Sequence, residues 1–107
     1  MKFIYIASAY TKGDVAVNVR TNIKAADEVA GMGYVPFVPL LSHFWHMIIP
    51  HPYEFWTEYD LVWLERCDAL VRLPGDSSGA DAEVARAREL GLPVYFGLDA
   101  FRANTPT

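Results

Sequence analysis

Two periods of apolar and polar positions run along this chain. Phe3-Ile4-Tyr5-Ile6-Ala7 is a short continuous apolar run, the pattern of a parallel strand covered on both faces. After a turn at 8–13, Val15, Val19, Ile23, Ala26 and Ala30 recur at helical spacing. That spacing predicts a helix over 14–31, with Asp14 near its start and Gly31 or Gly33 as its stop. Residues 34–38 read as a second strand, in which Pro36 implies an edge position or an irregularity. Residues 39–52 read as a long loop with a helical turn around 44–48. A helix over 53–66, a strand over 68–73, a helix over 78–90 and a strand over 94–96 follow. The tail is expected to hold a helical turn at 98–102 and then to fray through 107.

Strands alternating with helices predict right-handed crossovers, a parallel sheet of about four to five strands, and helices on both faces. The expected architecture is one α/β domain over 1–107, a three-layer sandwich of the flavodoxin-like or Rossmann-like kind.

Composition narrows the function classes. An apolar fraction of 52% in 107 residues exceeds what so small a core can cover, so self-association into a dimer or higher homo-oligomer is expected. A net charge of −4 argues against binding a nucleic-acid polymer, which needs a basic face. Cys67 is the single cysteine, so no intrachain disulfide framework or cysteine zinc cluster forms. A reducing, cytoplasmic setting is expected, without a signal peptide, because Met1-Lys2-Phe3 runs straight into a strand. The longest apolar stretch, around 35–50, is broken by prolines and histidines and does not suit a membrane span.

Chemistry concentrates at the turn Leu73-Pro74-Gly75-Asp76-Ser77-Ser78-Gly79, between a buried strand and a helix that carries Glu83. Open α/β sheets place ligands at this kind of junction. Ser78 is the expected N-cap, with Asp81 three residues on, and Ala80, Val84, Ala87 and Leu90 form the core stripe with Glu83 at its edge. An exposed glutamate paired with Arg86 or Arg88 is the plain alternative. Asp60 is the sharper anomaly: at about 100° per residue it shares an arc with Trp56, Trp63, Leu64 and Cys67. A carboxylate on an aromatic, core-facing stripe loses hydration, and its pKa should rise. Asp68 suits a turn, and Cys67 suits packing.

Tyr5 and the Ser8-Ala9-Tyr10-Thr11 turn belong at the same sheet edge as Glu83, where Tyr5 can orient a carboxylate or simply pack in the core. The turn lacks the glycine spacing of a dinucleotide fingerprint or a P-loop. His43, His46 and His51 suggest a three-histidine metal site. Their loop, with Phe44, Trp45, Met47, Ile48 and Ile49, reads better as a lid over an aromatic ligand, so no metal is expected.

Three segments together, Ile4 to Tyr10, Asp60 to Asp68 and Ser77 to Glu83, resemble the nucleoside 2-deoxyribosyltransferase-like superfamily. That superfamily includes a 2′-deoxynucleoside 5′-phosphate N-hydrolase branch and small bacterial and phage members, and the resemblance spans residues 2–96. It implies that Glu83 attacks the sugar anomeric carbon, that Tyr5 orients it, and that Asp60 assists proton transfer near the base. It implies that Ser77 touches the sugar 5′ end. An acidic residue there goes with a free 5′-hydroxyl, and a serine with a 5′-phosphate. Asp76 beside Ser77 leaves the choice open, while a serine with an uncapped helix start tilts it toward phosphate. The remaining candidates for contact with substrate are Ser8, Ala9, Tyr10, Ser78 and Gly79, with His43, Trp45 and Trp56 stacking on or hydrogen-bonding the base. Two features depart from the usual pattern. Tyr10-Thr11-Lys12 stands where the phosphate-binding branch carries an arginine or glycine-rich segment, and the chain ends soon after its fourth strand, where family sites often use a neighbouring subunit.

The expected function is cleavage or transfer of the N-glycosidic bond of a nucleoside or nucleoside 5′-monophosphate, with no cofactor. Its rivals are a non-catalytic nucleotide-binding or sensing module on the same fold, and an interaction protein whose partner surface is the aromatic loop 43–56.

Overall fold

The computed structural model describes residues 2–104. Four parallel strands, β1 (Phe3–Ala7), β2 (Val35–Phe37), β3 (Ala69–Arg72) and β4 (Val94–Phe96), form one sheet in the order β2-β1-β3-β4. The helices are α1 (Val15–Gly31), α2 (Ser42–Ile48), α3 (Tyr53–Glu65), α4 (Ser78–Glu89) and α5 (Leu98–Asn104), with a 3-10 turn at Pro39–Leu41. Pro36 lies on the edge strand β2, where its missing N–H costs the sheet little.

Side-chain alternation along β1 and β3 sorts the core into two layers. Ile4, Ile6, Ala69, Val71 and Leu73 meet Ala25, Ala26 and Val29 of α1 and Phe101 of α5 on one face. Tyr5, Ala7 and Leu70 meet Leu64 of α3, Cys67 just after it, and Ala80, Val84 and Ala87 of α4 on the other. The result is a three-layer α/β sandwich. Asp14 caps α1 through its carboxylate on the Val17 N–H, and Gly33, at φ +94°, takes the left-handed turn that ends the helix.

The structure differs from the sequence reading in three places. The tail is ordered further than expected: the helical turn at 98–102 belongs to α5, which runs to Asn104 and whose Phe101 is fully buried against Tyr34 and Tyr95. Residues 105–107 lie outside the described residues. The segment 39–52 is more regular than a loop with one helical turn, because the 3-10 turn and α2 occupy most of it. Trp63 is half exposed and stacks on Phe37 with 5.0 Å between ring centroids, so only the Leu64 and Cys67 end of the predicted arc is core.

The surface of α2 is apolar and uncovered, with Met47 and Ile48 the most exposed of its side chains. Among the described residues no helix is long and apolar enough to cross a membrane.

Candidate active site

The chain leaves β1 toward β2 on one side and returns to β3 on the other, so the strand order reverses between β1 and β3. Connections diverge there and open a crevice beyond the carboxyl ends of the strands. A cavity of about 750 Å³ occupies that place. Asp60, Ser77 and Glu83 line it, and Tyr5, wholly buried, stands behind Glu83 with its hydroxyl donating to Glu83 Oε2. Four residues from three distant segments of the sequence therefore meet at one site.

Each reaches the cavity for a local reason. Tyr5 sits on the β1 face turned toward α3 and α4, because Ile4 and Ile6 take the opposite face. Glu83 lies one residue before the buried Val84, at the edge of the α4 core stripe. Asp60 is one helical turn after Trp56 and one before Leu64 on α3, and Trp56 also lines the cavity.

Electrostatics single out the two carboxyl groups. Burial pushes Asp60 up to about 8, and the charge of Glu83 adds to the effect. One buried oxygen of Asp60, Oδ1, has no hydrogen-bond partner among the described residues. Burial pushes Glu83 up to about 7, against the Tyr5 hydrogen bond and the Arg72 charge, both of which favour its ionised form. The Tyr5 hydroxyl lies well above the usual phenol range, through burial first and then the charges of Glu83 and Asp60. Two desolvated carboxyl groups at one cavity can divide a single proton near neutral pH, one serving as base or nucleophile and the other as acid.

Sequence reasoning missed three residues that hold the site. Arg72, 7% exposed, donates from its guanidinium to the carbonyl of Leu73, to that of Gly75 at 2.9 Å, and to Asp81 Oδ1 at 3.0 Å. It ties the 73–75 turn to the first turn of α4. Its position invites confusion with a buried hydrophobic run, but strand alternation from Tyr5 and Leu70 places it on the α4 side. Asn22, fully buried, donates to the Ile6 carbonyl and to Ser8 Oγ, while Asn18 donates to the carbonyls of Tyr10 and Lys12. Polar residues one turn apart on α1, at Asn18 and Asn22, were the available signal.

The other candidates divide. Ser8, Tyr10, Ser78 and Gly79 line the cavity beside Ser77, and so do Thr11 and Lys12. Ala9 is not among its lining residues. Asp76 also stays outside, with its side chain 87% exposed and paired to Lys12 at 3.6 Å. The cap of α4 is Ser77 rather than Ser78: Ser77 Oγ accepts the Ala80 N–H at 3.0 Å. The start of α4 is thus capped, which removes one reason for favouring a phosphate there. Asp81 pairs with Arg72 instead of closing a capping box. Neither Arg86 nor Arg88 pairs with Glu83; Arg86 reaches Glu65 and Glu89. Asp68 ties the start of β3 to that of β1 instead of closing a local turn, its carboxylate accepting the Phe3 N–H at 2.8 Å.

The aromatic loop also sorts differently from expectation. His46, His51 and Trp56 line the cavity, but His43 and Trp45 do not. His43 accepts or donates at Nδ1 to the Tyr10 hydroxyl, 2.7 Å away, and faces a second groove of about 320 Å³ with Arg20 and Lys24. Trp45 packs edge-on against Trp56 at 4.9 Å, behind the cavity wall. The three histidines do not converge, and among the described residues no three metal-binding side chains do.

Residues 2–97 match the family described as a domain of unknown function (DUF7768). The chain belongs to that family. Curated proteins include no match to it. Among solved structures it is similar to a 2-deoxyribosyltransferase from the psychrotolerant bacterium Bacillus psychrosaccharolyticus, with a TM-score of 0.66 and 22% identity. That alignment covers 86% of this chain and 69% of the bacterial one. A 2-desoxiribosyltransferase from Leishmania mexicana gives a TM-score of 0.66 at 20% identity, over 88% of this chain and 62% of the other. These likenesses establish for the DUF7768 chain the α/β fold of the 2-deoxyribosyltransferases, and it spans about two thirds of their length.

Proposed function

We propose that this protein cleaves or transfers the N-glycosidic bond of a nucleoside or nucleoside 5′-monophosphate, with Glu83 as nucleophile and Asp60 as acid. The observation that carries the reading is the meeting of two desolvated carboxyl groups at one cavity, one of them held by the Tyr5 hydroxyl. The shared fold of the 2-deoxyribosyltransferases supports it.

In this reading a Glu83 oxygen bonds to the anomeric carbon as the carbon–nitrogen bond to the base breaks. The bonding pair leaves on the base nitrogen, and Asp60 gives its proton to the departing base. Positive charge developing on the sugar is stabilised by the adjacent carboxylate. A glycosyl ester on Glu83 results, as in retaining glycosidases. Water or a second base, deprotonated by Asp60, then attacks the same carbon and frees Glu83. In this reading the sugar and its 5′ substituent lie toward Ser8, Thr11, Lys12 and Ser77, and the base toward Trp56 and Asp60, all of which line the cavity.

Chromatography of a panel of 2′-deoxynucleosides and their 5′-monophosphates incubated with the protein is the test. Free base, or base exchange when a second base is added, is expected, and Glu83→Ala should abolish it. Ligand-dependent thermal stabilisation without product from any substrate at high protein concentration would replace the reading with that of a binding module.

A further inference from the structure

We propose that His46 reads the substrate's base, its Nε2–H acting as a fixed hydrogen-bond donor to an acceptor atom on the base edge. The inference rests on the glycosidic reading of the cavity, and it names the chemistry that reading leaves open.

Two N–H groups converge on one nitrogen of the His46 ring. The Trp56 indole N–H lies 2.9 Å from Nδ1, and the backbone N–H of His51 lies 3.2 Å from it. Neither an indole nor an amide nitrogen can accept a hydrogen bond, so Nδ1 supplies its lone pair to both. With Nδ1 an acceptor, the ring proton belongs to Nε2. His46 lines the cavity with Trp56 and His51, while its Nδ1 is turned back toward them. Nε2, across the ring, is the nitrogen left for a ligand.

Its place is also the right one. Trp56 is one helical turn before Asp60 on α3, and an acid that protonates a departing base must stand beside that base. The ring is braced as well as oriented. Trp56 meets it edge-on at 6.0 Å, Trp45 backs Trp56, and His51 stacks on Phe55 at 3.9 Å and 11°. The aromatic loop thereby acquires a use that lid residues alone would not need: it holds one polar atom in a set direction. A donor with no accepting partner selects a base presenting a ring nitrogen or carbonyl oxygen over one presenting an amino group or C–H at that position.

Two substitutions separate donor from anchor. In His46→Asn the side-chain oxygen can take the place of Nδ1 toward Trp56 and His51, but the shorter side chain brings no N–H to the position of Nε2. In His46→Gln an N–H is kept near the position of Nε2, while the anchor is lost. The substrate is whichever natural 2′-deoxynucleoside releases base fastest, compared with analogues in which each acceptor on its base is replaced in turn by C–H. One replacement is expected to lower wild-type kcat/KM about tenfold, and to cost His46→Asn nothing further. His46→Gln should recover part of the loss for the natural base alone. The ring nitrogens of the histidine-labelled wild type, observed by NMR, should show the proton on Nε2. A proton on Nδ1, or equal sensitivity of wild type and His46→Asn to every replacement, would overturn the inference and leave the glycosidic reading standing. A wild type that releases no base from any nucleoside overturns that reading, and the inference with it.

Discussion

The hydroxyl of Tyr5, on the first strand, donates to Oε2 of Glu83, on the fourth helix, across 78 positions of sequence. Tyr5 has no contact with solvent and is held by the sheet, tilted against Phe37 at 5.3 Å between ring centroids. The bond therefore fixes the direction of the carboxylate and favours its ionised form without any rearrangement.

Replacing Tyr5 by Phe keeps the ring and removes the donor. Glu83 then loses one of the two influences that lower its pKa, the other being Arg72, so the acidic limb of the pH–rate profile should move to higher pH. Base release should fall about 10²-fold, a typical cost of removing a positioned polar group. Unchanged kcat/KM across pH would show that Tyr5 only packs.

The carboxyl pair sets a second expectation. The proposed reaction needs Glu83 ionised and Asp60 protonated, so its profile should be bell-shaped with its maximum between about 7 and about 8. Asp60→Asn should remove the alkaline limb and reduce kcat about 10²-fold or more. Stability runs the opposite way. Both native values lie above the ordinary 3.8 and 4.5, so the folded state holds protons that the unfolded chain releases. The stabilisation is complete below those ordinary values and is lost as pH rises through the native ones. Thermal melts of Asp60→Asn should match the wild type near pH 4 and exceed it near pH 8.5.

Periodicity made the alternating strands and helices legible, along with the edge position implied by Pro36 and the core stripe of α4. Local pattern also placed Asp14 at the start of α1 and narrowed its stop to Gly31 or Gly33. It failed where a side chain's value depends on a distant partner. The helical turn at 98–102 was legible, but the full burial of Phe101 and the extension of α5 to Asn104 depend on the sheet face that Phe101 covers. Residues Tyr5, Asp60, Ser77 and Glu83 were named from the chain, yet nothing in their spacing separates His46 from His43 or Trp56 from Trp45. Which side of the loop faces the cavity is decided by the packing of α2 on α3.

Arg72 offers a third test. Its guanidinium satisfies two backbone carbonyls and pairs with Asp81, whose side chain is 72% exposed, so the charge is held by the turn more than by its ion pair. Arg72→Met should destabilise the protein by about 1–3 kcal/mol, because the carbonyl of Leu73 is left without its donor. The acidic limb of the rate profile should also shift upward, since the cation no longer favours ionised Glu83. Arg72→Lys should not restore both effects, because an ammonium lacks the planar fork that spans Leu73, Gly75 and Asp81. Urea melts and pH profiles measured on the same variants separate the structural from the electrostatic contribution.

The two serines at the start of α4 differ in the work they do, and substitution should resolve them. Ser77 takes the extended backbone of an N-cap, with φ −162° and ψ 111°, and its Oγ accepts the Ala80 N–H. Ser78 is the exposed first residue of the helix and has no such bond to make. Ser77→Ala should therefore cost about 0.5–2 kcal/mol of stability, and Ser78→Ala close to none. Ser77→Asp supplies a capping oxygen but adds a negative charge at the cavity, so its stability should approach that of the wild type while its substrate choice changes. If the sugar's 5′ end meets Ser77, the aspartate variant should lose turnover of 5′-monophosphates and retain turnover of nucleosides. Equal losses on both substrates would place the 5′ end elsewhere, beside Ser8, Thr11 and Lys12.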